Sequence, residues 1–254
     1  MTRDAIQSLW IGGELSPMER LAIASFLQHG HRFELYVYDE VRNVPAGTTL
    51  RDAGEILPRE RVFRYREHDT VSGFSNFFRY RLLLERGGWW VDTDVVCLRP
   101  FDFAGEHVFA SEPARDGSTP ASCVIRAPRG SAAMQLAWER CDARDASSLR
   151  WGETGPRLVK EVVAECGLEE YVQPSAVFCP LPFHAWRSII EGPPPRFGEP
   201  TRAVHLWNDM WRRAGARKDD VPAGTLYAEL IARALGDRET CSAPRPARAS
   251  AGPR

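Results

Sequence analysis

The sequence lacks the features that mark a membrane-spanning or secreted protein. No apolar run reaches the ~18 residues that a spanning helix needs, and residues 1–7 carry neither the basic nor the apolar region of a signal peptide. The formal net charge is −1, so no general attraction to nucleic acid or to an anionic membrane surface is expected. These absences predict a cytoplasmic protein that binds no nucleic acid, and they leave peripheral membrane association open.

Closely spaced cysteine pairs are also missing. The six cysteines lie at positions 97, 123, 141, 166, 179 and 241, and no two of them form a C-x-x-C motif. Because they form no compact framework in a chain of 254 residues, they are predicted to be reduced thiols in a cytosolic protein.

The chain begins with a strand–helix–strand pattern. Ile6–Ile11 is a short apolar run ending in two glycines, Ser16 starts a helix with a capping-box pattern, and Phe33–Tyr38 alternates as a second strand. Short connections between these elements predict a βαβ unit with a parallel pair of strands. The length fits one α/β domain over residues 1–239, and residues 240–254, rich in Pro, Ala, Ser and Arg, predict a disordered tail.

The helix predicted over Ser72–Arg86 carries polar residues on a largely apolar surface. Asn76 and Arg79 share one stripe with Leu83, at spacings of three and four, and such polar groups need partners. A hydrogen bond on the helix surface is the structural alternative to a ligand contact. Elsewhere the patterns predict a short helix over 50–57, a brief strand over 62–66 and a late strand over 203–207.

The segment Trp89–Val96 carries the strongest functional signal. Its valines favour a strand, and in a strand Asp92 and Asp94 project from the same face. Two like charges on so apolar a segment are costly unless a cation or hydrogen bonds compensate them. Carboxylate and phosphate oxygens are preferred ligands of Mg²⁺ and Mn²⁺, so a site for one of these cations is predicted. The alternative is that one aspartate caps a turn while the other is solvated.

Three motifs together resemble the sugar-nucleotide-binding core of family 32 glycosyltransferases, with the glucosylating toxins as distant relatives. They are S-N-F-F-R-Y at 75–80, G-G-W-W at 87–90 and D-T-D at 92–94, and the core match covers residues 72–102. The resemblance implies a single-domain GT-A fold, which is α/β and Rossmann-like. It also implies retaining, metal-dependent transfer of a hexose from a UDP- or GDP-sugar to a glycan or other hydroxyl acceptor, as in polysaccharide biosynthesis.

The resemblance also implies roles for individual residues. Asp94 would coordinate Mn²⁺ or Mg²⁺ directly, Asp92 would meet the donor sugar or ribose and a metal-bound water, and Arg79 would contact the donor sugar and phosphate. His205, together with Asn208, would complete the metal shell. The residues predicted to contact the donor nucleotide or sugar are Trp10, Gly12, Asn76, Arg79, Trp90, Asp92 and Trp211.

Two positions depart from the family pattern. Asn76 stands where the family has aspartate, which keeps an acceptor and loses the charge. Trp90 stands where the family has tyrosine or a similar residue, and tryptophan can stack on a base or a sugar ring. Residues 205–215, with Trp207 and Trp211 as aromatic anchors, are predicted to form a lid that closes over donor and metal.

Two other functions stand as alternatives. D-x-D-x-V also resembles the first motif of haloacid-dehalogenase-type phosphatases, in which Asp92 would be the nucleophile. Those enzymes place the motif near the N-terminus and need a later lysine and an acidic pair, for which the chain offers Lys160 in a helical pattern and Asp219-Asp220 before a proline. The second alternative is a sugar-nucleotide-binding module without catalysis, which the change to Asn76 favours.

Overall fold

The strands and helices come from a computed structural model that describes residues 4–65, 69–114 and 117–236, so the tail predicted over 240–254 lies outside the described residues. The strands are β1 (Ile6–Trp10), β2 (Phe33–Val37), β3 (Thr48–Asp52), β4 (Gly88–Val91), β5 (Val95–Cys97), β6 (Val108–Ala114), β7 (Gly117–Ala127) and β8 (Ala203–His205). The α-helices are α1 (Pro17–Gln28), α2 (Ser72–Arg86), α3 (Ala132–Asp142), α4 (Pro156–Glu165), α5 (Ser175–Phe178), α6 (Asn208–Ala214) and α7 (Leu226–Leu235).

A central sheet has the strand order β3-β2-β1-β4-β7-β6. β1 pairs in parallel with both β2 and β4, and β2 pairs in parallel with β3, whereas β7 runs antiparallel to β4 and β6. The chain moves outward from β1 to β3 and then returns through α2 to β4, on the other side of β1. In open α/β sheets such a reversal of strand order leaves a ligand crevice at the carboxyl ends of the strands. The predicted α/β class and the parallel β1–β2 pair are confirmed.

The two faces of the sheet carry separate hydrophobic cores, and β4 contributes to both. Trp89 and Val91 belong to the core that includes α1 and α7, whereas Trp90 belongs to the core that includes α2, α3 and α4. This division follows from the alternation of side chains along a strand. Asp92 comes two residues after Trp90, and its carboxylate lies on the same face of the sheet, where it contacts Arg79 on α2.

The turn between α2 and β4 requires glycine. Gly87 has a φ of 67°, and a Cβ there would lie 2.5 Å from the backbone nitrogen of Arg129. Any side chain would therefore be strained in its own backbone and would collide with the chain before α3. The helix predicted over Ser72–Arg86 thus ends where the glycine pair indicated, and β4 starts at once.

Three predicted elements differ from the structure. Residues 50–57 do not form one helix, because Leu50–Asp52 completes β3 along β2, and a 3₁₀ turn follows over Ala53–Glu55. Residues 62–65 form no strand. The strand predicted through Trp89–Val96 is broken between β4 and β5, which leaves the D-T-D motif in a turn. Backbone pairing with neighbouring strands, which local sequence does not reveal, decides each case. Among the described helices, none has the length and apolar character that a membrane span requires.

Candidate functional site

The D-T-D motif forms a tight turn at the carboxyl end of β4. The Asp92 N–H donates to the carbonyl of Cys123 on β7 (2.8 Å), and the Val95 N–H donates to the carbonyl of Asp92 (3.0 Å). The chain then enters β5, which leaves the central sheet to pair with β8. The shared strand face predicted for Asp92 and Asp94 is wrong, since the motif is not in a strand. The turn nevertheless places both carboxylates at the carboxyl end of β4, with side chains 27% and 12% exposed.

Asp92 is held from the protein interior by two donors. Arg79 Nη2 donates to Asp92 Oδ1 at 2.5 Å, and Trp90 Nε1 donates to the same oxygen at 2.8 Å. The guanidinium carbon of Arg79 also lies 4.8 Å from the centre of the Trp90 ring, within the range of a cation–π contact. The Arg79 side chain is 3% exposed, whereas that of Asp92 is 27% exposed. Arg79 and Trp90 therefore orient Asp92 from beneath, and neither donor uses Oδ2.

Asn76 in turn holds Arg79. Arg79 Nη1 donates to Asn76 Oδ1, and Asn76 Nδ2 donates to Thr154 Oγ1 at 3.2 Å. The Tyr80 hydroxyl donates to the Thr154 carbonyl at 2.8 Å and fixes the loop before α4. The stripe predicted on α2 thus forms, and its partners lie within the protein. Because Asn76 is neutral, Asp92 is the carboxylate that pairs with the Arg79 guanidinium. An aspartate at position 76 would be a second carboxylate in contact with the same guanidinium.

The pairing of β5 with β8 brings His205 to Asp94. Val95 lies opposite His205 in the antiparallel register, and the Leu206 N–H donates to the carbonyl of Asp94 at 2.9 Å. His205 Nε2 consequently lies 3.2 Å from Asp94 Oδ2, and the Asn208 backbone N–H donates to that same oxygen at 2.8 Å. Ligand atoms of Asp92, Asp94 and His205 all lie within 4.8 Å of one another. The three strongest metal-ligand candidates from the sequence are therefore brought together.

Trp207 fixes the position of the His205 ring. Its backbone is left-handed, with φ 58° and ψ 49°, a conformation that a bulky side chain rarely adopts. The two rings have centroids 4.0 Å apart, and Trp207 Nε1 donates to the carbonyl of Leu181 at 2.9 Å. Strain of about 1–3 kcal/mol is typical of such a residue and persists only where surrounding contacts impose it. Trp207 is thus a positioning residue beside the candidate ligand, a role that the sequence did not reveal.

Burial and neighbouring charges shift the pKa values of the two carboxylates in opposite directions. Burial raises the pKa of Asp92, and the nearby Asp94 carboxylate adds to this effect, although Arg79 opposes it. Burial also acts to raise the pKa of Asp94, but the charge of His205 and hydrogen bonds from His205 and Asn208 prevail and lower it. Burial alone would lower the pKa of His205, yet the adjacent Asp94 raises it well above the usual value. The pKa values of Asp94 and His205 are therefore shifted in the directions that favour an ion pair between them.

Two tryptophans predicted to contact the donor are in the core. Trp211 is fully buried, its Nε1 donates to the carbonyl of Leu206 at 2.8 Å, and its ring packs against Trp186 and Tyr227. Its N–H is therefore already used, and the predicted phosphate contact is not made in this arrangement. Trp90 is 1% exposed and cannot stack on a base or sugar here. The lid over residues 205–215 stays a prediction, but Trp211 is not available as its phosphate contact.

Trp10 and Gly12 lie at the end of β1, beside the point where strand order reverses. Trp10 Nε1 is buried and has no hydrogen-bond partner, and a Cβ at Gly12 would lie 3.3 Å from it. A buried N–H without a partner next to a residue without a side chain suits a polar group of a ligand. The structure thus keeps these two predicted residues together at the carboxyl end of β1.

The D-T-D motif lies in a segment that is similar to a known protein family. Residues 58–112 match the family model described as "Glycosyltransferase sugar-binding region containing DXD motif". The D-T-D turn lies inside this matched region, whose description names a DXD motif. The match spans Asn76, Arg79, Trp90, Asp92 and Asp94, and it confirms the predicted resemblance to DXD glycosyltransferases and, with the parallel-rich α/β sheet, the predicted fold class. The narrower assignment to family 32 stays a prediction.

Individual relatives of this DXD-containing chain are distant. Human alpha-1,4-N-acetylglucosaminyltransferase is 26% identical over 182 residues, which are 64% of this chain and 51% of that protein. The chain therefore spans about half the length of the curated relative it matches. Among solved structures, PaToxG glycosyltransferase has a TM-score of 0.47 at 14% identity, covering 66% of this chain and 72% of that one. The glycosyltransferase domain of the YGT toxin has a TM-score of 0.46 at 8% identity, covering 70% and 81%.

Proposed function

We propose that this chain is a metal-dependent glycosyltransferase that moves a sugar from a UDP- or GDP-sugar to a hydroxyl of a glycan or small-molecule acceptor. The observation that carries the proposal is that His205, from β8, meets Asp92 and Asp94 at the D-T-D turn, which lies in the matched sugar-binding region. The proposal includes retention of anomeric configuration, a role in polysaccharide biosynthesis, and a cytoplasmic location with or without peripheral membrane contact.

The donor atoms at this turn fit Mn²⁺ or Mg²⁺. Asp94 and His205 would hold the cation, with Asp92 and Asn208 beside it, since carboxylate oxygens and imidazole suit these ions. A divalent cation here would compete with protonation of His205, whose pKa the adjacent Asp94 raises. When bound, it would supply a positive charge that stabilises the departing diphosphate.

Several side chains of the protein are already oriented for a reaction in which a diphosphate leaves. Breaking the bond between the anomeric carbon and the diphosphate builds positive charge on the sugar and negative charge on the leaving group. Arg79 and Trp90 fix Asp92 through Oδ1, so the partly exposed carboxylate is held in one orientation toward the crevice. Groups fixed before the reaction need no reorganisation when charge develops. The unpaired N–H of Trp10 offers a donor to the nucleotide at the other side of the switch point.

The groups around Asp92 favour transfer over the phosphatase alternative. A nucleophilic aspartate of that class needs a lysine and a second acidic pair close by. In the described part of the chain, Lys160 is exposed on α4 and Asp219 binds Arg217, whereas Asp92 Oδ1 accepts from Arg79 and Trp90. Asp92 is thus held by an arginine and a tryptophan, and neither of its hydrogen bonds comes from a lysine.

The deciding experiment measures release of UDP or GDP from a panel of sugar nucleotides with simple glycoside acceptors. UDP-N-acetylglucosamine is the first donor to test, because of the name of the human relative. We expect release with Mn²⁺ from one donor, loss with EDTA, recovery with added Mn²⁺, and a rate lower by at least about 10²-fold in Asp94→Asn. Asp209→Asn is the matched control, because that carboxylate lies on α6 and pairs with Arg212 and Arg213.

The same assay separates the alternatives. Full activity in EDTA would contradict the cation site. Phosphate release from a monoester without any nucleotide product would favour the phosphatase. Tight binding of a sugar nucleotide with no turnover, even to water, would identify a binding module.

A further inference from the structure

Two buried cysteines that the sequence left unpaired meet beside His205. Cys123 on β7 and Cys179 after α5 are 56 residues apart, with Sγ atoms 3.6 Å from each other. They are 3% and 0% exposed, and both are free thiols. Both sulfurs and a ring nitrogen of His205 lie within 4.8 Å of one another. The glycosyl transfer proposed above uses neither thiol.

The spacing of the two sulfurs matches the edge of a tetrahedral metal site. With Zn–S bonds of about 2.3 Å and tetrahedral angles, two sulfurs bound to one zinc lie about 3.8 Å apart. The observed separation of Cys123 Sγ and Cys179 Sγ is 3.6 Å, so very little movement would be needed. Two sulfurs and one imidazole are also the donor types that soft and borderline cations prefer over Mg²⁺ or Mn²⁺.

The Nδ1 atom of His205 can serve such a site once it has lost its proton. Its Nε2 faces Asp94 Oδ2 at 3.2 Å, whereas its Nδ1 is buried without a hydrogen-bond partner. A metal-bound imidazole commonly donates its other N–H to a carboxylate, which fixes the ring and raises its basicity. Asp94 already occupies that position. Ligation through Nδ1 would thus satisfy a buried polar atom that is otherwise left unpaired.

We propose that Cys123, Cys179 and His205 form a binding site for a thiophilic divalent cation of the Zn²⁺ class. Binding would release one proton from each thiol and the Nδ1 proton of His205 to solvent, and it involves no oxidation. His205 would then bind the soft cation through one nitrogen and donate the other N–H to Asp94. If the proposed Mn²⁺ or Mg²⁺ site also uses His205, the two cations compete for one imidazole, and Zn²⁺ antagonises transfer. That second consequence rests on the proposed function, whereas the Zn²⁺ site itself does not.

Cobalt(II) titration of the full chain tests the site directly. Protein stripped of metal is titrated with Co²⁺, thiolate-to-cobalt charge-transfer absorption is recorded, and Zn²⁺ is added to displace the cobalt. We expect one equivalent to bind, and Cys123→Ser or Cys179→Ser to abolish the absorption and to weaken Zn²⁺ binding by at least about 100-fold. The matched control is Cys166→Ser, since that half-exposed thiol lies outside the cluster. Circular dichroism of each variant verifies that it is folded.

The outcomes separate the site from the transferase proposal. Absence of thiolate absorption in the wild-type chain would overturn the site, as would absorption that survives in both folded cysteine variants. Neither readout needs a donor to be turned over. For the competition, Zn²⁺ should inhibit Mn²⁺-supported transfer in the wild type and inhibit Cys179→Ser at least about 10-fold less. Equal inhibition of both proteins would refute the shared use of His205.

Discussion

The contact between Arg79 and Asp92 offers the sharpest test of how the D-T-D turn is held. Arg79→Met keeps the length and the apolar stem of the side chain but removes the guanidinium, and Asp92→Asn keeps the shape of the acceptor but removes its charge. Together with the double variant they form a thermodynamic cycle. Because the pair is anchored at 2.5 Å on a side chain that is 3% exposed, it should be far stronger than a surface ion pair.

The magnitude follows from burial. Breaking a fully buried ion pair costs roughly 3–5 kcal/mol, and the 27% exposure of Asp92 places this pair at the lower end. The lost contacts to Asn76 and to the Trp90 ring add to it. We expect Arg79→Met to lower the free energy of unfolding by about 3 kcal/mol, which corresponds to a Tm lower by about 6–12 °C for a domain of this size. The coupling energy in the cycle should be about 1.5–3 kcal/mol.

Guanidinium denaturation of the four proteins measures these values. Arg81→Met is the matched control on the same helix, because Arg81 pairs with Glu85 with side chains 35% and 31% exposed. Its guanidinium carbon also lies 5.2 Å from the centre of the Trp138 ring, so the change should cost about 1 kcal/mol, clearly less than at Arg79. Equal destabilisation by the Arg79 and Arg81 changes, or changes at Arg79 and Asp92 that simply add, would refute the role given to the pair.

Two further predictions concern His205 and Trp211. Because Asp94 raises the pKa of His205, Mn²⁺ must displace a proton, and its affinity should rise by up to about tenfold per pH unit until the pH reaches that raised pKa, and then level off. Calorimetry in buffers of different ionisation enthalpy checks this, and heats independent of buffer would contradict it. By the same linkage, His205 stabilises the metal-free fold fully below pH 6.5, and this stability is lost as pH rises through the raised pKa. Trp211→Phe should destabilise the fold by about 2–4 kcal/mol, since it opens space in the core and orphans the Leu206 carbonyl. Donor affinity should not change in that variant; a large loss of affinity in a stable variant would return Trp211 to the donor site.

Local patterns predicted the parts of the site that are close in sequence. The glycine pair after α2, the stripe with Asn76 and Arg79, and the two aspartates all lie within one helix–turn–strand unit, where spacing determines geometry. The βαβ unit at the beginning of the sheet was also predicted correctly from short-range spacing. The prediction of one continuous strand through Asp92 was wrong, because β5 pairs with β8 and not with the central sheet.

Contacts between distant segments were beyond prediction from spacing. Nothing near Asp94 in sequence indicates that Val95 will lie opposite His205, or that Cys123 and Cys179 will meet there. Tryptophan adds a second ambiguity, because the same ring suits a core or a ligand platform. Burial, which depends on the whole fold, decides that Trp211 belongs to the core.

The chain order sets when the cation site can be completed during synthesis. Asp94 and Asn208, which donates to its carboxylate, are 114 residues apart. At about 5–20 residues per second, a ribosome needs on the order of 10 s to travel between them. In that interval the aspartate turn can already anchor to Cys123, while His205 has not yet been made. A nascent chain therefore offers two carboxylates without an imidazole, and stable metal loading should belong to the last stage of its maturation.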